Sequence, residues 1–287
     1  MHRFTSAAAT AVLLLGVGGI IAAAPTPSHA QFAIGVSVNI APPPLPVYDQ
    51  PPIPAYGYIW TPGYWAWDPD IQDYYWVPGT WVEPPQVGLL WTPGFWGWNN
   101  GVFVFNDGYW GPHIGFYGGV NYGFGYSGVG YEGGYWQGGR LFYNSTVNNI
   151  TNVRIETVYQ KTVVNDTTTH VSFNGGEGGV HAEPTPAERQ AASEPHVRPT
   201  ADQLQQRQVA RSIPANRASA NHGRPAVAAT PRPGAVDRSA VDRRAPGAAR
   251  PVSAAPGARP MAPKPAAAVR PQAPKPKAEP KKPDDQR

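Results

Sequence analysis

The hexapeptide Trp60-Thr61-Pro62-Gly63-Tyr64-Trp65 is the strongest indication of how this chain folds, because similar hexapeptides recur twice soon afterwards. The other copies are Trp76-Val77-Pro78-Gly79-Thr80-Trp81 and Trp91-Thr92-Pro93-Gly94-Phe95-Trp96, at spacings of 16 and then 15 residues. A regular period indicates one structural unit used repeatedly. The pattern therefore favours a scaffold or a built surface over a single catalytic centre.

Each Pro-Gly step is interpreted as the two-residue loop of a β-hairpin. This interpretation places the two tryptophans of a copy opposite each other, as the pairs Trp60–Trp65, Trp76–Trp81 and Trp91–Trp96. Aromatic pairs across two strands each contribute roughly 0.2–1 kcal/mol beyond an Ala pair. L-Pro-Gly favours a type II turn, whose twist suits a two-residue hairpin poorly, so a bulge or a wider loop is the alternative.

Two further turn signals predict that the sheet continues beyond the repeats. Asn100-Gly101 and Asp107-Gly108 are typical of type I′ hairpins. They place Phe105 opposite both Trp96 and Trp110, and they place Trp98 opposite Phe103. The predicted fold class is mainly β, an antiparallel aromatic-rich β-meander built from hairpin repeats over residues 58–110. Its second face is also apolar, so we expect that face to be covered by the glycine-rich segment, by the later strands or by another subunit.

The next two segments differ in composition. Residues 111–146 are rich in glycine and aromatic residues. A packed segment and a loose glycine loop are both consistent with that composition. Residues 147–182 alternate Val and Ile with Asn and Thr, which favours β-strands.

The N-terminus resembles a secretory signal peptide at residues 1–30. A short positive start precedes an apolar stretch, and Ser28-His29-Ala30 offers a small-residue cleavage site. The alternative is an uncleaved membrane anchor, because the stretch is long enough to cross a bilayer. A Pro-rich lead-in follows at 31–57, and no later segment is predicted to cross the membrane. We expect a protein exported to the periplasm, the cell envelope or the extracellular space, without disulfides because it has no cysteine.

Charge divides the chain into an acidic body and a basic tail. Residues 31–182 hold ten acidic and three basic residues, whereas residues 183–287 hold nine acidic and nineteen basic ones. The tail lacks aromatic residues and is predicted to be a disordered Pro/Ala/Arg/Lys segment, with short helices starting near Thr185 and Thr200. It is predicted either to tether the protein to anionic envelope polymers, lipopolysaccharide or cell wall, or to act as a solvated spacer. Nucleic acid is not expected, because the chain is predicted to be exported.

Six tryptophans of the repeats are candidate interaction residues, although packing against one another as a core is the favoured interpretation. An exposed row of their rings would stack on sugars, and self-association is a further expectation, whereas buried rings would form a core. The six residues concerned are Trp60, Trp65, Trp76, Trp81, Trp91 and Trp96. No catalytic, cofactor-binding or metal-binding residue is predicted, because the histidines lack metal-ligand spacing and Asp68-Pro69-Asp70 is more typical of a turn.

In these hexapeptides the chain resembles the bacterial WXXGXW-repeat family, also called the YXWGXW-repeat family, of exported envelope proteins. The run from Trp96 to Pro112 and the segment from Tyr117 to Tyr126 look like the same group. The resemblance covers roughly residues 55–180. It implies an exported envelope protein and brings no established activity. Some relatives are lipoproteins, an attachment that requires a cysteine this chain lacks. The sequence therefore predicts a non-enzymatic structural or interaction protein of the cell envelope, and the alternative is a carbohydrate-binding module.

Overall fold

The computed structural model describes residues 37–151, 153–163 and 170–235. The predicted signal peptide at 1–30 and the last part of the predicted tail lie outside these residues. The strands are β1 Ser37–Val38, β2 Ile59–Thr61, β3 Tyr64–Asp68, β4 Asp73–Val77, β5 Gly79–Val82, β6 Leu90–Thr92, β7 Phe95–Asn99, β8 Val102–Asn106, β9 Tyr109–Gly111, β10 Asn121–Gly123, β11 Tyr126–Ser127, β12 Gly134–Gln137, β13 Arg140–Asn144, β14 Val158–Tyr159, β15 Phe173–Asn174 and β16 Ala229–Thr230. The helices are α1 Pro186–Ala191, α2 Ala201–Ser212 and α3 Ala218–Asn221, with a 3₁₀ turn at Pro214–Asn216.

Residues 59–82 form one long antiparallel ribbon, here called ribbon 1. Strand β2 pairs with β5, and β3 pairs with β4, in a single continuous register. Trp60 therefore lies opposite Trp81, and Trp65 lies opposite Trp76. The predicted hairpin pairs Trp60–Trp65 and Trp76–Trp81 are wrong, because the Pro-Gly steps lie within the two arms of the ribbon and face each other.

Backbone geometry explains why the Pro-Gly steps do not reverse the chain. A type II turn needs a positive φ at its glycine. Gly63 and Gly79 are not among the glycines with positive φ, so neither step turns the chain. The reversal comes after Asp68, where the side-chain carboxylate accepts a hydrogen bond from the Asp70 backbone N–H at 3.1 Å. The sequence prediction of a turn at Asp68-Pro69-Asp70 is confirmed.

Residues 90–111 repeat the arrangement as ribbon 2. Strand β7 pairs with β8, and β6 pairs with β9, again in one register. The predicted turn at Asn100-Gly101 is confirmed, since both residues have positive φ (47° and 98°). It places Trp96 opposite Phe105, as predicted.

Two other predictions about ribbon 2 are wrong. Trp91 lies opposite Trp110, so neither the Trp91–Trp96 pair nor the Phe105–Trp110 pair forms. Asp107-Gly108 does not turn the chain, because it faces Pro93-Gly94 across the ribbon. The predicted fold class is confirmed, mainly β with small antiparallel aromatic-rich sheets, but the strand pairing is that of two long ribbons.

The glycine-rich segment at 111–146 is ordered and packed. The side chains of Tyr117, Tyr122 and Tyr126 are buried, and burial raises the pKa of each hydroxyl above its usual range. The Tyr122 hydroxyl donates to the Gly94 carbonyl at 2.7 Å, and the Tyr126 hydroxyl donates to the Trp91 carbonyl at 2.8 Å. Tyr122 and Tyr126 therefore hold the segment against the backbone of ribbon 2.

The segment at 147–182 is less regular than its β-branched composition predicts. Its described part contributes only two-residue strands, β14 parallel to β13 and β15 parallel to β7.

The lead-in is mostly extended and packs on ribbon 1. The Trp65 indole N–H donates to the Pro44 carbonyl at 3.0 Å, and the Trp81 indole N–H donates to the Pro51 carbonyl at 2.7 Å.

Residues 183–235 are folded, which corrects the prediction of a disordered tail beginning at residue 183. We call them the clasp, because they pack on both ribbons. The two predicted helix starts are confirmed, since Thr185 and Thr200 each complete a capping box. Order is supplied by contacts with the body, which a composition-based prediction does not include. No helix among the described residues has both the length and the apolar character needed to span a bilayer.

The clasp also covers the second apolar face of ribbon 1. Ala210 of α2 packs with Ala66, Tyr75 and Val77 in a small buried cluster. The rest of the buried side chains, including most of the tryptophans, form one large core. The expectation that this face would be covered is confirmed for ribbon 1, but the cover found there is a polar helix from the predicted tail and none of the three expected candidates.

Candidate functional site

All six predicted interaction tryptophans are buried. Their side chains are between 0% and 7% exposed, with Trp91 the most accessible. A ring without an open face cannot stack on a sugar, so the structure does not bring these six residues together as a glycan-binding surface. They form the frame of the two ribbons: Trp60, Trp65, Trp76, Trp81, Trp91 and Trp96.

The glycine of each repeat explains why these rings are buried where they are. A Cβ atom at Gly79 would lie 2.6 Å from the Trp60 ring and 2.9 Å from the Gly63 nitrogen. Glycine therefore lets the two arms approach closely and lets the indole of one arm lie across the backbone of the other. The first tryptophan of one copy therefore packs on the glycine of the copy that faces it.

Ribbon 2 contains a fourth, divergent copy of the repeat. It reads Phe105-Asn106-Asp107-Gly108-Tyr109-Trp110, with Phe in place of the first Trp and Asp in place of Pro. A Cβ at Gly108 would lie 2.5 Å from the Trp91 ring, and one at Gly94 would lie 2.8 Å from the Phe105 ring. Each ribbon is thus a pair of copies related by the same contact. In the run Phe105 to Trp110 the glycine is the fourth residue and Trp is the sixth, as in the other copies. This spacing identifies the copy, and the sequence analysis did not detect it.

The indole N–H groups hold neighbouring segments in place. Trp76 donates to the Ala228 carbonyl of the clasp at 2.9 Å, and Trp96 donates to the Trp65 carbonyl at 2.8 Å. Trp110 donates to the side-chain oxygen of Gln203 in α2 at 2.8 Å. Trp65 and Trp81 donate in the same way to the lead-in. The tryptophans thus connect the ribbons to the segments that pack on them.

A small cavity of about 50 Å³ lies where the Pro-Gly steps of both ribbons meet α2. Its walls include Pro62, Pro93 and Phe105 from the ribbons and Gln203 and Arg207 from the helix. Small-molecule sites usually have volumes of roughly 300–1,000 Å³. The cavity therefore has room for water between packed elements and is too small for a sugar or a cofactor.

The aspartates at the turn of ribbon 1 bind the clasp. Arg211 of α2 donates to Asp68 and to Asp70, each at 2.5 Å. This hydrogen bond from Arg211 lowers the pKa of the buried Asp68 carboxyl below its usual range. Asp73 accepts a hydrogen bond from the Ser219 hydroxyl at 2.6 Å. In the described part of the chain, no cluster of three or more His, Asp or Glu side chains is arranged to hold a metal ion.

An exposed aromatic group that sequence reasoning missed lies on the sheet formed by β12, β13 and β14. The Tyr135 and Phe142 rings stack at 5.2 Å between centroids with an interplanar angle of 4°, and Tyr159 lies 5.2 Å from Tyr135. Tyr135 is 42% exposed. The signal for this hairpin was Gly138-Gly139 between two aromatic strands, a turn type that Gly-Gly favours.

The described structure defines an aromatic β-ribbon protein, in which paired Trp-x-x-Gly-x-Trp motifs build each ribbon. The chain carries the WXXGXW repeat: the model of that repeat matches two copies, at residues 56–82 and 87–110. Each match coincides with one ribbon, which confirms the predicted resemblance over the repeat region. No curated protein and no solved structure showed significant similarity to the chain.

Proposed function

We propose that this protein is a non-enzymatic structural or interaction protein of the cell envelope. Its two-ribbon body acts as a rigid scaffold, and its distal tail, residues 236–287, acts as a basic tether. The observation that carries the proposal is the burial of every repeat tryptophan, which makes the motif a frame and leaves binding to other surfaces. The burial gives no support to the alternative in which these rings bind glycans.

Export is the first part of the proposal. The basic start, the apolar stretch and the Ser28-His29-Ala30 site support it. Fractionation of cells that express the full chain tests it directly, with N-terminal sequencing of the product. A mature N-terminus at Gln31 in the periplasmic, envelope or secreted fraction is the expected result. Full-length protein in the cytoplasm would overturn this part.

The tether is the second part of the proposal. Residues 236–287 contain twelve Lys or Arg and five acidic residues. A chain of this composition attracts anionic polymers through charge, and the attraction weakens as salt screens it. We expect a variant truncated after Ala235 to lose most of its retention on lipopolysaccharide and on purified cell wall at low salt.

A length-matched control separates the effect of charge from that of length. Replacing the Lys and Arg residues of 236–287 with Gln keeps the number of residues and removes the positive charge. The expected result is loss of retention equal to that of the truncation. Retention that is unchanged in both variants would exclude the tether and leave a spacer.

Absence of catalysis is the third part. Ion pairs join Arg211 to Asp68 and Lys161 to Glu132 among the described residues. The pair at Arg211 docks the clasp on ribbon 1, a structural role that supports this part. A screen of the purified mature chain against glycan, peptide and ester substrates tests this part, and turnover abolished by a single substitution would refute it.

A further inference from the structure

We propose that the outer face of the β12–β13–β14 sheet binds a polysaccharide that carries carboxylate groups. The inference rests on the proposed envelope function and adds a binding site on the folded body, separate from the basic tail. We call this surface the aromatic face. It consists of Tyr135, Phe142, Tyr159 and Arg140.

Strand register places these residues on one side of the sheet. Tyr135 lies opposite Phe142 in the antiparallel pair β12–β13, and Gln137 lies opposite Arg140 two residues further along. Side chains two residues apart on a strand point to the same face. The alternate residues Leu141 and Tyr143 are buried in the core, so Tyr135 and Arg140 belong to the outer side.

The aromatic rings supply the stacking surface. Tyr135 stacks on Phe142 almost in parallel, and Tyr135 remains 42% exposed. The face of an aromatic ring carries partial negative charge, and it attracts the C–H bonds of a sugar ring, which carry partial positive charge. Tyrosine also offers a hydroxyl group, so the same residue contacts both the apolar and the polar parts of a sugar.

The charge beside the rings selects the class of sugar. Arg140 is exposed, and among the described residues no carboxylate lies within 4 Å of its guanidinium group. The neighbouring cation Lys161 is already paired with Glu132 at 2.8 Å. A guanidinium binds a carboxylate through two parallel hydrogen bonds. An aromatic surface with a free guanidinium therefore fits a uronic acid or another carboxylated sugar better than a neutral one.

Two soluble polymers with the same sugar backbone test this proposal. Polygalacturonate carries free carboxylates, and its highly methyl-esterified form has most of them blocked. Calorimetric titration of the mature full chain is expected to show tighter binding of polygalacturonate. Tyr135→Ala removes the exposed ring, and by analogy with stacking on aromatic side chains we expect it to weaken binding of both polymers about 10-fold.

The second substitution separates charge from stacking. Arg140→Gln is expected to weaken binding of polygalacturonate by about 10–100-fold, the scale of one hydrogen bond to a charged group, and to leave binding of the esterified polymer unchanged. The matched control is Val129→Ala, which shortens an exposed apolar side chain outside this sheet and is expected to change neither affinity. Tyr135→Phe, which keeps the ring, is expected to retain most of the binding even if the Ala variant unfolds.

The outcomes distinguish this site from the tether. The proposed site on the aromatic face is wrong if the wild type binds neither polymer. It is also wrong if the wild type and the folded Tyr135→Ala variant bind with equal affinity. If affinities are equal and truncation after Ala235 abolishes binding, the basic tail is the binding element and the tether proposal holds. If Tyr135→Ala instead converts a dimer to a monomer by light scattering and leaves polymer affinity unchanged, the face is an interface between copies and the proposal is wrong.

Discussion

The indole ring of Trp60 lies across the backbone of Gly79, so close that a single added methyl carbon would sit 2.6 Å from the ring. The two residues belong to different copies of the repeat and meet across ribbon 1. The same relationship joins Trp91 to Gly108 in ribbon 2. The spacing of the motif is therefore set by contacts between two copies, and a lone copy lacks the partner for its glycine.

Substitution of Gly79 by Ala is expected to destabilise the body by about 1–3 kcal/mol, the usual cost of an overpacked core. The new methyl group displaces the Trp60 ring or separates the two arms. Urea unfolding followed by tryptophan fluorescence measures the change. The control is Gly97→Ala, whose Cβ would meet its nearest neighbour at 3.4 Å. Equal stability of the two variants would contradict the close contact.

Substitution of Trp76 by Phe is expected to separate the two roles of this side chain. A Phe ring still covers Gly63, as Phe105 covers Gly94, but it cannot donate to the Ala228 carbonyl. The lost hydrogen bond costs about 1–3 kcal/mol, and Trp76→Ala is expected to cost about 3–5 kcal/mol.

Hydrogen exchange locates the effect of Trp76→Phe. We expect faster exchange at the amide of Gly79, which also donates to Ala228, with little change in ribbon 2. Uniformly faster exchange across the whole body would show that the ring, and not its N–H group, carries the effect.

Docking of the clasp is expected to weaken in acid. The folded-state pKa of Asp68 is depressed by its hydrogen bond from Arg211. A depressed pKa stabilises the fold above the unfolded-state value, about 3.8. That stabilisation is lost as the pH falls from there through the lower folded-state pKa.

Unfolding free energies measured between pH 6 and pH 2 test this dependence. Asp68→Asn and Arg211→Gln are each expected to lower stability at pH 6 and to flatten the profile below about pH 4. A wild-type profile that both variants reproduce in shape would refute a role for this pair.

Removal of a helix cap is expected to loosen α2. The Thr200 hydroxyl accepts a hydrogen bond from the Gln203 backbone N–H, and the Gln203 side-chain oxygen accepts one from the Thr200 backbone N–H at 2.9 Å. Loss of such a cap costs about 0.5–2 kcal/mol. Thr200→Ala is therefore expected to speed amide exchange in α2, and Ser212→Ala at the other end serves as its control. Unchanged exchange in α2 would show that packing alone fixes the helix.

The sequence predicted one reversal of the chain and two helix starts, whereas its turn signals at Pro-Gly and Asp107-Gly108 did not hold. Turn residues that require positive φ identified the Asn100-Gly101 reversal and the register of Trp96 with Phe105. The capping boxes at Thr185 and Thr200 identified both helix starts. These features depend on contacts within a few residues, which sequence patterns record directly.

The features that sequence did not predict depend on distant partners. Pro-Gly is compatible with a turn and with an extended arm, and the choice depends on the glycine and the indole that face it. The clasp has few apolar residues, so its order depends on Arg211, Gln203 and the aspartates of ribbon 1. The sequence favoured packing of the six tryptophans as a core, and their burial agrees with it, but the residues that cover each ring could not be predicted from the spacing.

The bond from Trp76 to Ala228 has a consequence for the order in which the molecule assembles. Its partners are 152 residues apart along the chain. Ribbon 1 emerges early from a ribosome or a translocation channel, whereas the segment that completes its edge emerges late. Contacts of such long range slow folding. Strands made early are therefore completed by a segment made 152 residues later. A chain cut short before residue 228 is left with an open sheet edge and an unsatisfied indole.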